Sequence, residues 1–311
     1  MKCFYHHDLD GQASGFIIYN CVHVKDVHCP VEMIKINYGT SFPLSRILPN
    51  EQVWIVDYSI EPDEMRKLLQ ITSNVVWIDH HETAIKKYAD FDQEIKGVRR
   101  IGEAACVLTW KYVNWWSGGG LYQDFTRDFP EEKPIPRCIL LTGDRDVWDW
   151  KYGDETKNFF SGSQLYDTSP DSDFWLKCIC HEVETVLGMN PNTDVQKRGT
   201  FFWRNLLAQG KLIEKFKLRF YSNLAHDIGY VVKFEGHLCF AVNAARVSSD
   251  LFNMYLDEFD ILIPYYHNGK EFVVSLYSKN IRVSDLAVKH GGGGHDYASG
   301  FSCKELPFIL G

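Results

Sequence analysis

The chain has 311 residues, more than one core usually accommodates, so two domains are expected and no staple for a small scaffold is needed. Its net charge of −8 argues against a protein that coats long duplex nucleic acid, but not against a small anionic substrate held by cations. Apolar content of 45% is ordinary for a globular protein, and no apolar run reaches the roughly eighteen residues of a membrane span, so no membrane partner is expected.

The chain opens with "KCFYHHDLDG", a short apolar run ending in His6, His7, Asp8 and Asp10. It lacks the basic segment and apolar stretch of a signal peptide, and its nine cysteines are scattered and odd in number, so free thiols and a cytoplasmic setting are expected. A helical pattern, "GQASGFIIYNCV", follows. "VWIVD" ends at Asp57 and "VVWID" at Asp79, both apolar on two faces, as buried parallel strands are. Between them "EPDEMRKLLQ" reads as a helix with Pro62 in its first turn and acids at its positive end.

A helical stretch from Gly102 to about Trp116 leads to a long loop reaching Pro136. "CILLTGD" ends at Asp144 and fits either strand or helix; Asp171 to Leu187 reads as a helix. "CICH" at Cys178 to His181 lies on that pattern and is read as packing rather than a metal site. A long helix from about Asp194 to Ala225 carries seven Lys or Arg up to Arg219, and is read as a solvated connector.

Beyond it the period changes. "IGYVVKFEG", "LCFAVN", "DILIPYY" and "EFVVSLYS" read as strands, with a helix "SSDLFNMYLDEF" among them. The expected fold class is therefore α/β: an N-terminal parallel sheet with helices on both faces, and a smaller C-terminal α+β domain joined by a long helix. The expected boundaries are 1–190, 191–225 and 226–311.

In an open α/β sheet the ligand lies beyond the carboxyl ends of the strands. His6, Asp8, Asp10, Asp57, Asp79, His80, His81, Asp144 and Asp146 all fall there. Carboxylates so crowded repel one another unless cations lie among them, and a mixed Asp/His set suits a transition metal such as Mn²⁺. Single members have blander readings. Asp10 or Asp57 could cap a helix, and a lone histidine is more often packed than ligating.

"HHDLDG", "VDYS", "DHHE" and "GDRD", in that order, resemble the four-motif set of the DHH phosphoesterase superfamily. The branch it is most similar to hydrolyses small oligonucleotides and nucleotides. The resemblance implies two divalent ions, Mn²⁺ first among them, held by His6, Asp8, Asp10, Asp57, His80 and Asp144. In that resemblance Asp57 bridges them; many relatives place the first histidine where Phe4 stands here, and His6 is preferred to His7 because it lies two before Asp8, as in an H-x-D-x-D-G variant. Asp146 remains open as an alternative to Asp144. His81 contacts the scissile phosphate, and Asp79 orients its neighbours. A hydroxide shared by the ions attacks the phosphodiester.

"KHGGGGHDYASGF" resembles the associated C-terminal domain of that superfamily, in which Gly291, Gly292, Gly293, Gly294 and His295 hold the nucleotide. Four glycines would also free backbone N–H groups for an anion. Relatives often carry "SLRS" where this chain has "SLYS" with Tyr277; Arg246 and Arg282 could replace that arginine at phosphate. Arg99 and Arg100 are further candidates. The implied partner is a short oligonucleotide or nucleotide, with a homodimer possible. A nucleotide 3′-phosphatase, a pyrophosphatase and a non-catalytic nucleotide sensor would use many of the same residues.

Overall fold

The computed structural model describes residues 1–25, 30–117, 134–182, 193–245, 255 and 257–310. Its contacts divide the chain into two compact units, Met1–Ile213 and Glu214–Gly311. The division falls inside one helix, Thr193–Ile228, where the sequence pattern places a connector.

In the first unit, β1 (Lys2–His6), β2 (Glu32–Ile36), β3 (Val53–Val56) and β4 (Val75–Ile78) form a fully parallel sheet in the order β2-β1-β3-β4. Successive side chains of a strand point to opposite faces; β1, β3 and β4 are buried on both, while β2 at the edge exposes Glu32 and Lys35. Cys3, Tyr5, Trp54, Val56, Val76 and Ile78 pack with α1 (Leu9–Lys25), α4 (Ala105–Ser117) and α5 (Arg137–Asp146). Phe4, Val53, Ile55, Val75 and Trp77 face the other way, onto Met65 and Leu68 of α2 (Pro62–Ile71) and Ala84 of α3 (Glu82–Lys87). This two-sided burial is why the strands read as unbroken apolar runs. α6 (Asp154–Ser163), α7 (Phe174–Ile179) and the start of α8 (Thr193–Ile228) complete the unit.

"CILLTGD" is helix, not strand, so the fourth acidic motif lies in the last turn of α5. The "CICH" segment is packing: Cys178 is buried and His181 Nδ1 lies 2.5 Å from the Cys178 carbonyl. Among the described residues the cysteines are free. No helix among them is long and apolar enough to cross a membrane.

In the second unit, β5 (Gly229–Phe234), β6 (His237–Asn243), β7 (Ile261–His267), β8 (Phe272–Tyr277), β9 (Gly293–His295), β10 (Ala298–Cys303) and β11 (Ile309–Leu310) form a mixed sheet. Their order is β11-β5-β6-β7-β8-β10-β9, with only β6 and β7 parallel to each other. Helix α9 (Val283–Lys289) packs Leu286 and Ala287 onto one face with Val232, Ala241 and Leu276. Residues 118–133, most of the "SSDLFNMYLDEF" helix and Arg246 lie outside the described residues.

Candidate metal centre

Three of the four strands of the first unit deliver a carboxylate at their carboxyl ends. Asp8 follows β1, Asp57 follows β3, and Asp79 follows β4. Asp8 caps α1, its Oδ1 accepting the Gly11 N–H at 3.0 Å, so the capping role considered for Asp10 and Asp57 falls to Asp8. Its Oδ2 lies 2.8 Å from His6 Nδ1. Burial works against its charge, but the His6 contact and the Gly11 N–H hold its pKa down to about 2.

Asp10 is 1% exposed and binds the first turn of α1 to another element. Its two oxygens accept the N–H groups of Ala105 and Cys106, at 2.9 and 2.8 Å, where α4 begins. The positive end of a helix favours that carboxylate.

Asp57 is the centre of the arrangement. It is 1% exposed and takes a left-handed backbone with φ of 54°, sparsely populated by non-glycine residues. Neither of its oxygens has a hydrogen-bond partner. Oδ2 lies 3.6 Å from His6 Nδ1, and Oδ1 lies 3.3 Å from His80 Nε2. Three overlapping groups of ligand atoms therefore gather around one carboxylate: His6, Asp8 and Asp57 on one side, Asp10, His80 and Asp146 on the other, and Asp57, His80 and His81 linking them. Burial, then the charges of Asp10 and Asp8, push the Asp57 carboxyl well above the usual carboxylate range. Asp146 is pushed up by burial and the same two aspartates.

The fourth motif divides its work differently from the expectation. Asp144 accepts the N–H of Lys151 at 2.7 Å, the N–H of Tyr152 at 3.3 Å and the hydroxyl of Thr156. Those donors use both its oxygens and hold the segment after α5. Asp146, not Asp144, reaches the cluster, with Oδ2 3.2 Å from His80 Nε2. It stands in the last turn of a helix, where the dipole disfavours a carboxylate and a cation would offset it.

Asp79 lies beneath the two histidines that follow it. Its Oδ1 accepts the His80 N–H at 2.7 Å and sits 2.7 Å from His81 Nδ1, while Ser59 Oγ donates to Oδ2. Burial is the largest influence on Asp79 and raises its pKa, but the His81 hydrogen bond and charge, with the bonds from Ser59 and the His81 N–H, together hold the carboxyl low. Burial is likewise the largest influence on His81 and lowers its pKa, but the Asp79 bond and the charges of Asp79, Asp146 and Asp10 together leave it raised. His80 is lowered by burial. His6 rather than His7 faces the carboxylates; His7 is exposed, with Nδ1 3.2 Å from His6 Nε2.

The donor set suits divalent ions. An unpartnered buried carboxylate between two groups of imidazole and carboxylate is an unfavourable arrangement without a cation and a favourable one with it.

Other candidates are engaged elsewhere. Arg99 donates to the Trp77 and Lys96 carbonyls, Arg100 lies 3.8 Å from Glu103, and Arg282 pairs with Asp296. In the second unit two amides of the glycine run, expected to be free for an anion, are engaged within the fold. The Gly291 and Gly292 N–H groups donate to the Val288 and Ala287 carbonyls and end α9. Gly293 and Gly294 pair with Gly300 and Ser299 across β9 and β10. Two residues that the sequence reading missed also border the metal centre: Ser59, on Asp79, and Tyr38, whose ring lies 5.4 Å from that of His6. A serine two residues past a strand-end aspartate was the only signal for the first.

No protein-family model matches the chain. It is 25% identical over 297 residues to the uncharacterized protein R106 of Acanthamoeba polyphaga mimivirus, covering 93% of this chain. The chain spans about 60% of the length of that curated relative. Among solved structures it is similar to the pGpG-specific phosphodiesterase PggH from Vibrio cholerae, at a TM-score of 0.49 and 12% identity, covering 97% of this chain and 93% of that one. It is also similar to the exonuclease RecJ bound to manganese, at a TM-score of 0.46 and 11% identity, covering 97% and 85%.

Proposed function

We propose that the chain is a divalent-metal-dependent phosphodiesterase of the DHH type that hydrolyses short oligonucleotides or dinucleotides to mononucleotides. One observation carries the reading: buried Asp57 has two unpartnered oxygens, each turned to a histidine of a different ligand cluster. His6, Asp8 and Asp57 would hold one ion, and Asp10, His80, Asp146 and Asp57 the other. Bound there, two divalent ions, of which Mn²⁺ fits the Asp/His donors, would supply acidification of a water and charge neutralisation at phosphate.

The chain's own residues do the rest. Asp57 holds the two clusters at one spacing. Asp79 fixes the His81 ring by accepting from its Nδ1, so that Nε2 is the nitrogen left to meet a phosphate oxygen. There His81 stabilises the charge that builds as the diester is attacked. In the second unit, His295 is the substrate contact, and the glycines shape the turn that carries it.

Purified chain supplied with Mn²⁺ should release mononucleotides from a dinucleotide, and chelator should stop the release. Orthophosphate from a 3′-phosphorylated nucleotide, with no dinucleotide cleavage, would reassign the centre to a phosphomonoesterase. Loss of the reaction in Asp57→Asn is expected; full activity in that variant would overturn the bridging role. His295→Ala should raise KM more than it lowers kcat, and the opposite split would remove His295 from substrate binding.

A further inference from the structure

Tyr38 follows β2 at the carboxyl edge of the sheet and is 48% exposed. An exposed aromatic residue alone is ordinary. This one is held on three sides. Its ring stacks on buried Tyr58, with centroids 4.7 Å apart and planes at 26°. Its hydroxyl accepts the Ser59 N–H at 3.4 Å, which anchors the phenol end. Its edge meets the two imidazoles of the metal centre, 5.4 Å from His6 and 6.2 Å from His81 between ring centroids.

With Tyr58 under one face and the hydroxyl anchored, the open surface is the opposite ring face. That surface is rigid, flat and apolar. It is also joined to the site through Ser59, which holds Tyr38 by its N–H and Asp79 by its hydroxyl. A flat ring one residue's width from a phosphate-holding histidine matches the layout of a nucleotide, whose base lies one ribose from its phosphate. Every base has a π-face, so stacking selects a nucleobase without selecting which one.

We propose that Tyr38, clamped between Tyr58 and the His6–His81 edge of the metal centre, is a platform on which the substrate's nucleobase stacks. The inference rests on the phosphodiesterase reading and narrows its substrate to phosphate esters that carry a base next to the reacting phosphate.

Two measurements on the full chain with Mn²⁺ test it. The first is calorimetric binding of adenosine monophosphate against ribose 5-phosphate, which differ only by the base. Wild type should bind the nucleotide about ten-fold more tightly, and Tyr38→Ala should erase that preference. Tyr38→Phe, which keeps the ring, should hold it within about two-fold. The second is kcat/KM for a dinucleotide against the same diester flanked by base-free sugars, where Tyr38→Ala should lower only the first. Equal binding of the two monophosphates by wild type, binding of neither, or an undiminished preference in Tyr38→Ala would overturn the platform. Cleavage of the base-free diester with no base preference would sink the platform and leave the phosphodiesterase standing. Cleavage of no diester would sink the activity, while the binding pair still decides the platform.

Discussion

Asp57 combines a left-handed backbone, full burial and two unpartnered oxygens, three unfavourable features in one residue. Asp57→Asn puts a neutral amide where burial, Asp10 and Asp8 oppose ionisation of the carboxyl, so in chelator the variant should melt no lower than wild type. The rise in Tm on adding Mn²⁺ should disappear, and a wild-type-sized rise would contradict the bridging role. Asp144 and Asp146 make a sharper contrast. Asp144→Ala strands the N–H groups of Lys151 and Tyr152 and should cost about 2–4 kcal/mol by denaturant unfolding, with or without metal. Asp146→Asn should leave the metal-free fold near wild type and weaken Mn²⁺ binding. The reverse pattern would return the ligand role to Asp144. The strand-end aspartates were legible because each closes an apolar run. The choice between these two was not, because the same letters fit strand or helix. On a strand, residues two apart share a face; on α5 they point to opposite sides, one into the following loop and one to the cluster.

At the scale of elements, the flanking helix and strand of the glycine run are where the pattern puts them. Two of its amides, those of Gly291 and Gly292, serve the fold, and Gly291, at φ of 79°, ends α9 as a left-handed cap. A Cβ on Gly292 would sit 2.1 Å from the Gly300 carbonyl oxygen, whereas one on Gly293 would meet nothing within 4 Å. Gly292→Ala should therefore cost about 1–3 kcal/mol and lower Tm even without substrate. Gly293→Ala should stay within about 0.5 kcal/mol of wild type, so any loss of activity there would report on substrate alone. Equal destabilisation by both would mean that the pair of strands, not the Gly300 contact, sets the requirement. Sequence could not separate these two glycines, because the close approach depends on how the following strand, β10, folds back on the run.

For the molecule as a whole, the two-unit plan was legible from the change of period after the long helix. The division within that helix, at Ile213 and Glu214, was not, since a continuous helix shows no break in composition. The first unit's strand ends gather charge that only a cation balances, and this ties its stability to pH. Asp57 and Asp146 have pKa values raised above the unfolded carboxylate range, so in chelator the folded state holds protons that the unfolded state has lost. Their contribution is full below the unfolded value, about pH 4, and is lost as pH rises through the raised folded values. Asp8 and Asp79 are shifted the other way, and their stabilisation is lost only as pH falls below about 4. His80 is lowered and His81 raised, so their effects near neutrality oppose each other. In chelator, Tm should therefore fall as pH rises from about 4 toward neutrality. Saturating Mn²⁺ competes with those protons and should raise Tm by an increment that grows across the same interval. Asp57→Asn should flatten both trends. A chelated protein whose Tm climbs over that interval would show that Asp57 and Asp146 do not carry the raised values, and the case for a cation between them would fail with it.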